Sequence, residues 1–141
     1  HHFGPGNTPG DTVVYVPKAK AAWTGNLVVG EGTIPPIFEG RPGVYLETIA
    51  GFARSLDVET IVPGHGALAS GAILTRYFTY LSELIHSVRQ AVDGGRSLEE
   101  TLARMPIWKR YAPPADSPFG PFLAGLHRLN LQNTYLELNG R

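Results

Sequence analysis

A histidine set among glycines, Pro63-Gly64-His65-Gly66, and two asparagines in Gly6-Asn7-Thr8-Pro9-Gly10-Asp11 and Thr24-Gly25-Asn26 occupy three short turns, each following or leaving an apolar run that reads as a strand. Polar side chains on glycine-rich turns at strand ends can converge on one point, which is how a fold assembles a metal or catalytic site from residues distant in sequence. Strong metal binding would place His or a carboxylate at the centre of each turn, and two of the three carry Asn. The turns therefore trace the outline of a metal site with a weakness in it. Asn also suits tight turns for its own reasons, because it tolerates left-handed backbone and bonds its own main chain. A structural role for Asn7 and Asn26 stands beside metal contact.

The elements that must position these turns follow from hydrophobic pattern. Asp11 to Pro17, with Val13, Val14, Tyr15 and Val16, and Ala21 to Val29, centred on Trp23, predict two strands joined as a hairpin by Lys18-Ala19-Lys20. Gly30 to Gly43 holds four Gly and three Pro, which resists regular structure and predicts a long surface loop of the kind that borders active sites. Tyr45, Ile49, Phe52, Ala53 and Leu56 recur at helical spacing and predict an amphipathic helix over 43–56. Thr60, Ile61 and Val62 form a short strand that ends at the His65 turn. Beyond Ser70 only helices are expected: one of about six turns with a stripe of Leu74, Tyr77, Phe78, Leu81, Leu84, Ile85, Val88 and Val92, ended by Gly94-Gly95. Of the aromatics Tyr77, Phe78 and Tyr80, the simplest reading is core plus one exposed ring. Ser97 with Glu100 makes a capping box that opens a short helix closed by Pro106. Residues 112–121 hold four Pro and form an irregular connector, and Phe122, Leu126, Leu129 and Tyr135 line a final helix. His86 and His127 gather nothing around them and read as structural or solvated.

Composition limits the function classes. The 141 residues are 43% apolar and 17% charged, enough to bury a core. Twelve basic and twelve acidic residues leave no net field for nucleic acid or an anionic membrane, and Lys109-Arg110 lacks the interleaved aromatics of a single-strand binder. With no cysteine there is no disulfide, no thiolate nucleophile and no Cys-ligated zinc, and the compartment stays undetermined. No apolar stretch approaches bilayer length. The glycine-rich run 4–10 is not followed by a helix, as a phosphate loop would require. The few strands cannot close a sheet alone, so either the helices cover both faces or further strands lie in an N-terminal region.

Taken in order, His2-x-Gly4-Pro5-x-Asn7-Thr8-x-Gly10-Asp11, Trp23-Thr24-Gly25-Asn26 and Ile61-Val62-Pro63-Gly64-His65-Gly66 resemble the metallo-β-lactamase superfamily. The resemblance covers residues 1 to about 70, and the helices after them are similar to the C-terminal segment of hydrolase-type members. It implies a mixed α/β (α+β) fold, the second half of an αββα sandwich followed by a helical segment. It also implies a one- or two-metal site, usually zinc, and hydrolysis by metal-activated hydroxide. The family's first-half motif, His-x-His-x-Asp-His, is absent from these residues. Residues 1–70 would then be a strand-rich metal-site half and 71–141 its helical continuation, in one domain or half-domain.

Position by position, the resemblance assigns His65 to the last histidine ligand. Asn26 stands where the family has the Asp that bridges two metals, and Asn7 where it has a histidine ligand; an amide removes the charge or the nitrogen donor in each case. One zinc ion in place of two is the expected consequence. Asp11 matches the carboxylate that orients its loop, and His2 matches a non-ligand histidine. Asn7 or Asn26 can also act catalytically, by donating a hydrogen bond to a developing oxyanion or to substrate. The leading reading is a metal-dependent hydrolase of a small-molecule ester, thioester, lactone, amide or phosphoester. The alternative is a non-catalytic binding or assembly protein that has lost its metal. Homo-oligomerisation, or pairing with the missing N-terminal half, is expected of exposed sheet edges.

Overall fold

Four short strands form one sheet in a computed structural model of the chain, which describes residues 1–39 and 41–140. Strand β1 (Val14–Val16) runs antiparallel to β2 (Ala21–Gly25), β2 parallel to β3 (Thr60–Pro63), and β3 antiparallel to β4 (Ala69–Ser70). The hairpin between β1 and β2 is present, with Pro17–Ala19 as a single 3-10 turn and Lys20 left-handed at φ 45°. Both hairpin strands are shorter than the apolar runs that announce them, because residues 26–29 leave the sheet after β2 to build the next turn. The β2–β3 register shifts between Trp23 and Gly25, where the chain leaves the sheet for that turn.

Period-two alternation separates the faces of the sheet. Tyr15, Ala22, Ile61 and Ala69 stand in register across all four strands, and the last three are buried in one cluster with Ile49 and Phe52 of helix α1 (Pro42–Ser55) and Tyr77 and Leu81 of α2 (Ile73–Asp93). On the opposite face the row Val14, Trp23, Val62 is apolar and open, with Val14 60% and Trp23 45% exposed. The helices thus cover one face only. Three further helices, α3 (Leu98–Arg104), α4 (Trp108–Tyr111) and α5 (Gly120–Leu138), complete the order, and α5 packs on α1, α2 and α3.

The local signals act as expected at α3, where the Ser97 hydroxyl accepts from Glu100 N–H and the Glu100 carboxylate accepts from Ser97 N–H. Elsewhere packing overrides them. The expected surface loop 30–43 is internal over Ile34–Ile37, all four of which are buried. In α2 Phe78 is exposed while Tyr80 is fully buried, and in α5 Phe122 is exposed while His127, Asn130 and Thr134 are buried. Of the pair Lys109-Arg110, Arg110 forms an ion pair with Glu83, whose other oxygen accepts from the Tyr111 hydroxyl at 2.9 Å. Among the described residues no helix is long and apolar enough to cross a membrane.

Candidate functional site

Two of the three turns touch directly. Gly64 N–H donates to the Gly25 carbonyl at 2.7 Å, and a Cβ at Gly64 would lie 2.7 Å from that oxygen and 2.8 Å from Asn26 Oδ1. Only glycine permits this approach, so the amide of Asn26 lies over the backbone next to His65. Both His65 and Asn26 are exposed. The first turn joins them through Leu27, because a Cβ at Gly6 would strike the Leu27 and Tyr45 side chains and the Asp11 carboxylate. Asn7 itself is only 1% exposed, and its Nδ2 is buried with no hydrogen-bond partner among the described residues.

The other two assigned residues shape the first turn. The Asp11 carboxylate accepts from Thr8 N–H at 3.2 Å and from the Thr8 hydroxyl at 3.0 Å, which closes the turn around Asn7. The exposed His2 ring donates from Nδ1 to the Asp11 carbonyl at 2.7 Å, the only direction open to a carbonyl partner.

Helix hydroxyls hold these turns from behind, and sequence reasoning did not single them out. From α1, Tyr45 donates to the Leu27 carbonyl at 2.6 Å and Thr48 to the Pro5 carbonyl at 2.7 Å. From α2, the Tyr77 hydroxyl accepts Val29 N–H at 2.9 Å and donates to the Val29 carbonyl at 2.8 Å. Burial pushes the Tyr77 phenol up to about 12 and the Tyr45 phenol well above its ordinary range, so both remain protonated donors. Thr24 in the turn donates to the Val28 carbonyl at 3.0 Å. The available signal was a tyrosine at a buried helical position, whose hydroxyl needs a polar partner.

The donor set is one exposed imidazole, one exposed amide and one buried amide. Among the described residues no group of three or more His, Cys, Asp and Glu could hold a metal ion. Asp11 already bonds inside its own turn, so these residues alone do not fit a zinc site, which needs at least three strong ligands.

In comparison with solved structures the chain is similar to TMB-1, with a TM-score of 0.54 and 19% identity over 58% of this chain and 39% of that one. It is also similar to the metallo-β-lactamase DIM-1, with a TM-score of 0.51 and 21% identity over 57% of this chain and 39% of that one. The chain carries part of the metallo-β-lactamase fold. It spans about two fifths of the length of the metallo-β-lactamases it matches, 39% in both cases. No protein-family model and no curated protein matches its sequence.

Proposed function

We propose that these 141 residues are the second half of a metallo-β-lactamase-fold hydrolase with a reduced, one-zinc site, acting on a small molecule that bears an ester, thioester, lactone, amide or phosphoester. The observation that carries this reading is the meeting of the exposed His65 and Asn26 turns at the ends of the two inner strands β2 and β3, the Asn26 turn being held from behind by the Tyr45 and Tyr77 hydroxyls. Because the donors in this chain do not suffice, the proposal requires further ligands from residues outside these 141. The open apolar face of Val14, Trp23 and Val62 supports that arrangement: a second sheet packed there would complete the sandwich and remove the row from water. Residues 1–70 then supply the site edge and 71–141 its support. His65 contributes the imidazole, Asn26 a neutral hydrogen-bonding amide beside it, and Asp11 with His2 the shape of the first turn.

A second reading rests on Asn7, whose sealed and unpaired amide favours a protein of this fold that has lost its metal and serves binding or assembly. Activity separates the two. Full-length protein purified without chelator is expected to hydrolyse one class in a panel of those bonds, to lose the activity to EDTA and to regain it with zinc. His65→Ala is expected to reduce kcat/KM by at least about tenfold. Hydrolysis indifferent to both chelator and His65→Ala contradicts the proposal.

A further inference from the structure

Residues 30–39 form a strap with both ends tied to the candidate site. At one end Gly30 N–H donates to the His65 carbonyl at 3.1 Å, in a contact so close that a Cβ at Gly30 would lie 2.9 Å from that oxygen. At the other, Glu39 N–H donates to the Asn7 carbonyl at 3.1 Å. The middle of the strap belongs to α5. Asn130 Nδ2 donates to the Pro35 carbonyl at 2.8 Å, Asn130 Oδ1 accepts Ile37 N–H at 3.2 Å, and Asn133 Nδ2 donates to the Ile37 carbonyl at 2.8 Å. Between these anchors Pro35 and Pro36 fix their own φ angles and offer no N–H, so the strap is locally stiff.

The amide of Asn130 is itself oriented by a chain of buried bonds with a single allowed direction. The Pro106 carbonyl can only accept, so the proton on the His127 ring sits on Nε2, 2.9 Å away. Nδ1 is then bare, and the Tyr80 hydroxyl must donate to it at 2.8 Å. That hydroxyl accepts in turn from Asn130 Nδ2 at 3.0 Å, leaving Asn130 Oδ1 free to face Ile37. Each member dictates the next, from the turn at Pro106 through α5 and α2 to the strap.

We infer that Asn130 and Asn133 are positioning residues: by gripping the centre of the 30–39 strap, they set where the His65 and Asn7 turns stand. Their importance for catalysis rests on the proposed hydrolase reading, but the mechanical link does not.

Amide hydrogen exchange tests the link directly on full-length protein, with neither metal nor substrate added. In Asn130→Ala/Asn133→Ala, the Gly30 and Glu39 amides are expected to exchange at least tenfold faster than in the wild type, while the α2 amides of Leu84 and Val88 keep their rates. Faster exchange at Ile37 with unchanged Gly30 and Glu39 overturns the inference, because the strap then yields locally and transmits nothing. Where the double variant also loosens α2, Asn133→Ala alone, which removes one bond from a half-buried side chain, decides. Faster exchange at Gly30 and Glu39 supports the link, and wild-type rates there overturn it. Since the readout involves no hydrolysis, failure of the hydrolase reading would appear separately.

Discussion

Two buried asparagines, one in each half of the molecule, meet burial in different ways. Asn130 in α5 is fully buried and uses both ends of its amide, with partners in the strap and on Tyr80. Asn7, in the first turn, is almost as deeply buried, yet its Nδ2 has no partner among the described residues. Around Asn130 the helical half matches burial with hydrogen bonds, although Arg76 Nε in α2 is, like Asn7 Nδ2, buried with no partner among the described residues. In the turn-bearing half Asn7 Nδ2 is left unmatched, in a turn that packs against Leu27 next to Asn26, at a standing cost.

The contrast is broken most readily from the scaffold side. Asn130→Leu strands Ile37 N–H and the Pro35 carbonyl, and is expected to lower stability by about 3–4 kcal/mol in urea unfolding. Equal stability of variant and wild type would remove the distinction between the two asparagines.

Next in size is the response to acid. Burial depresses His127 from 6.5 to about 4, against a smaller opposing effect of the Pro106 carbonyl. The unfolded chain therefore takes up this proton at a higher pH than the folded one. The stabilising contribution is full above pH 6.5, declines between 6.5 and 4, and levels off below, a loss on the order of 3 kcal/mol. His127→Gln is expected to flatten that segment of the stability–pH curve, and an unchanged slope would show that the ring titrates as it does in water.

On the site side, Gly64→Ala forces a methyl against the Gly25 carbonyl and is expected to cost about 2 kcal/mol by overpacking. Amide shifts should change at Gly25, Asn26 and His65 and not along α5. The smallest effect has the opposite sign. Asn7→Leu removes the unpaired donor at similar volume and is expected to stabilise by about 1 kcal/mol. A destabilisation as large as that of Asn130→Leu would mean the two amides do the same work.

How much of this was legible depended on whether the cause was local. The capping box of Ser97 and Glu100 and the helix stop at Gly94 operate over a few residues, and the motifs around Asn7, Asn26 and His65 mark turns by composition alone. The stripe of α2 was readable at Leu74, Tyr77, Leu81, Leu84 and Val88, but its edge was not, since Tyr80 enters the core to meet His127 and Asn130 while Phe78 stays outside. In α5 the apolar stripe was half of the signal: Leu126 is buried with Leu123 and Leu131, while Phe122 is exposed. Polar residues share that buried face: His127 bonds Tyr80 and the Pro106 carbonyl, Thr134 bonds the Asn130 carbonyl of its own helix, and Asn130 bonds a strap whose backbone groups have no strand to bond. The same pairing explains why a Gly- and Pro-rich segment, which composition placed on the surface, lies inside at Ile34–Ile37. Long-range satisfaction of backbone polarity leaves no local periodic trace.

Central to the proposed function is that the His65 turn presents a metal ligand in the intact protein. Elemental analysis of full-length protein, prepared without chelator, tests it most directly beside His65→Ala. About one zinc per chain in the wild type, falling well below that in the variant while the fold persists by circular dichroism, is the result the account predicts. Zinc absent from both, or retained equally by both, would contradict it.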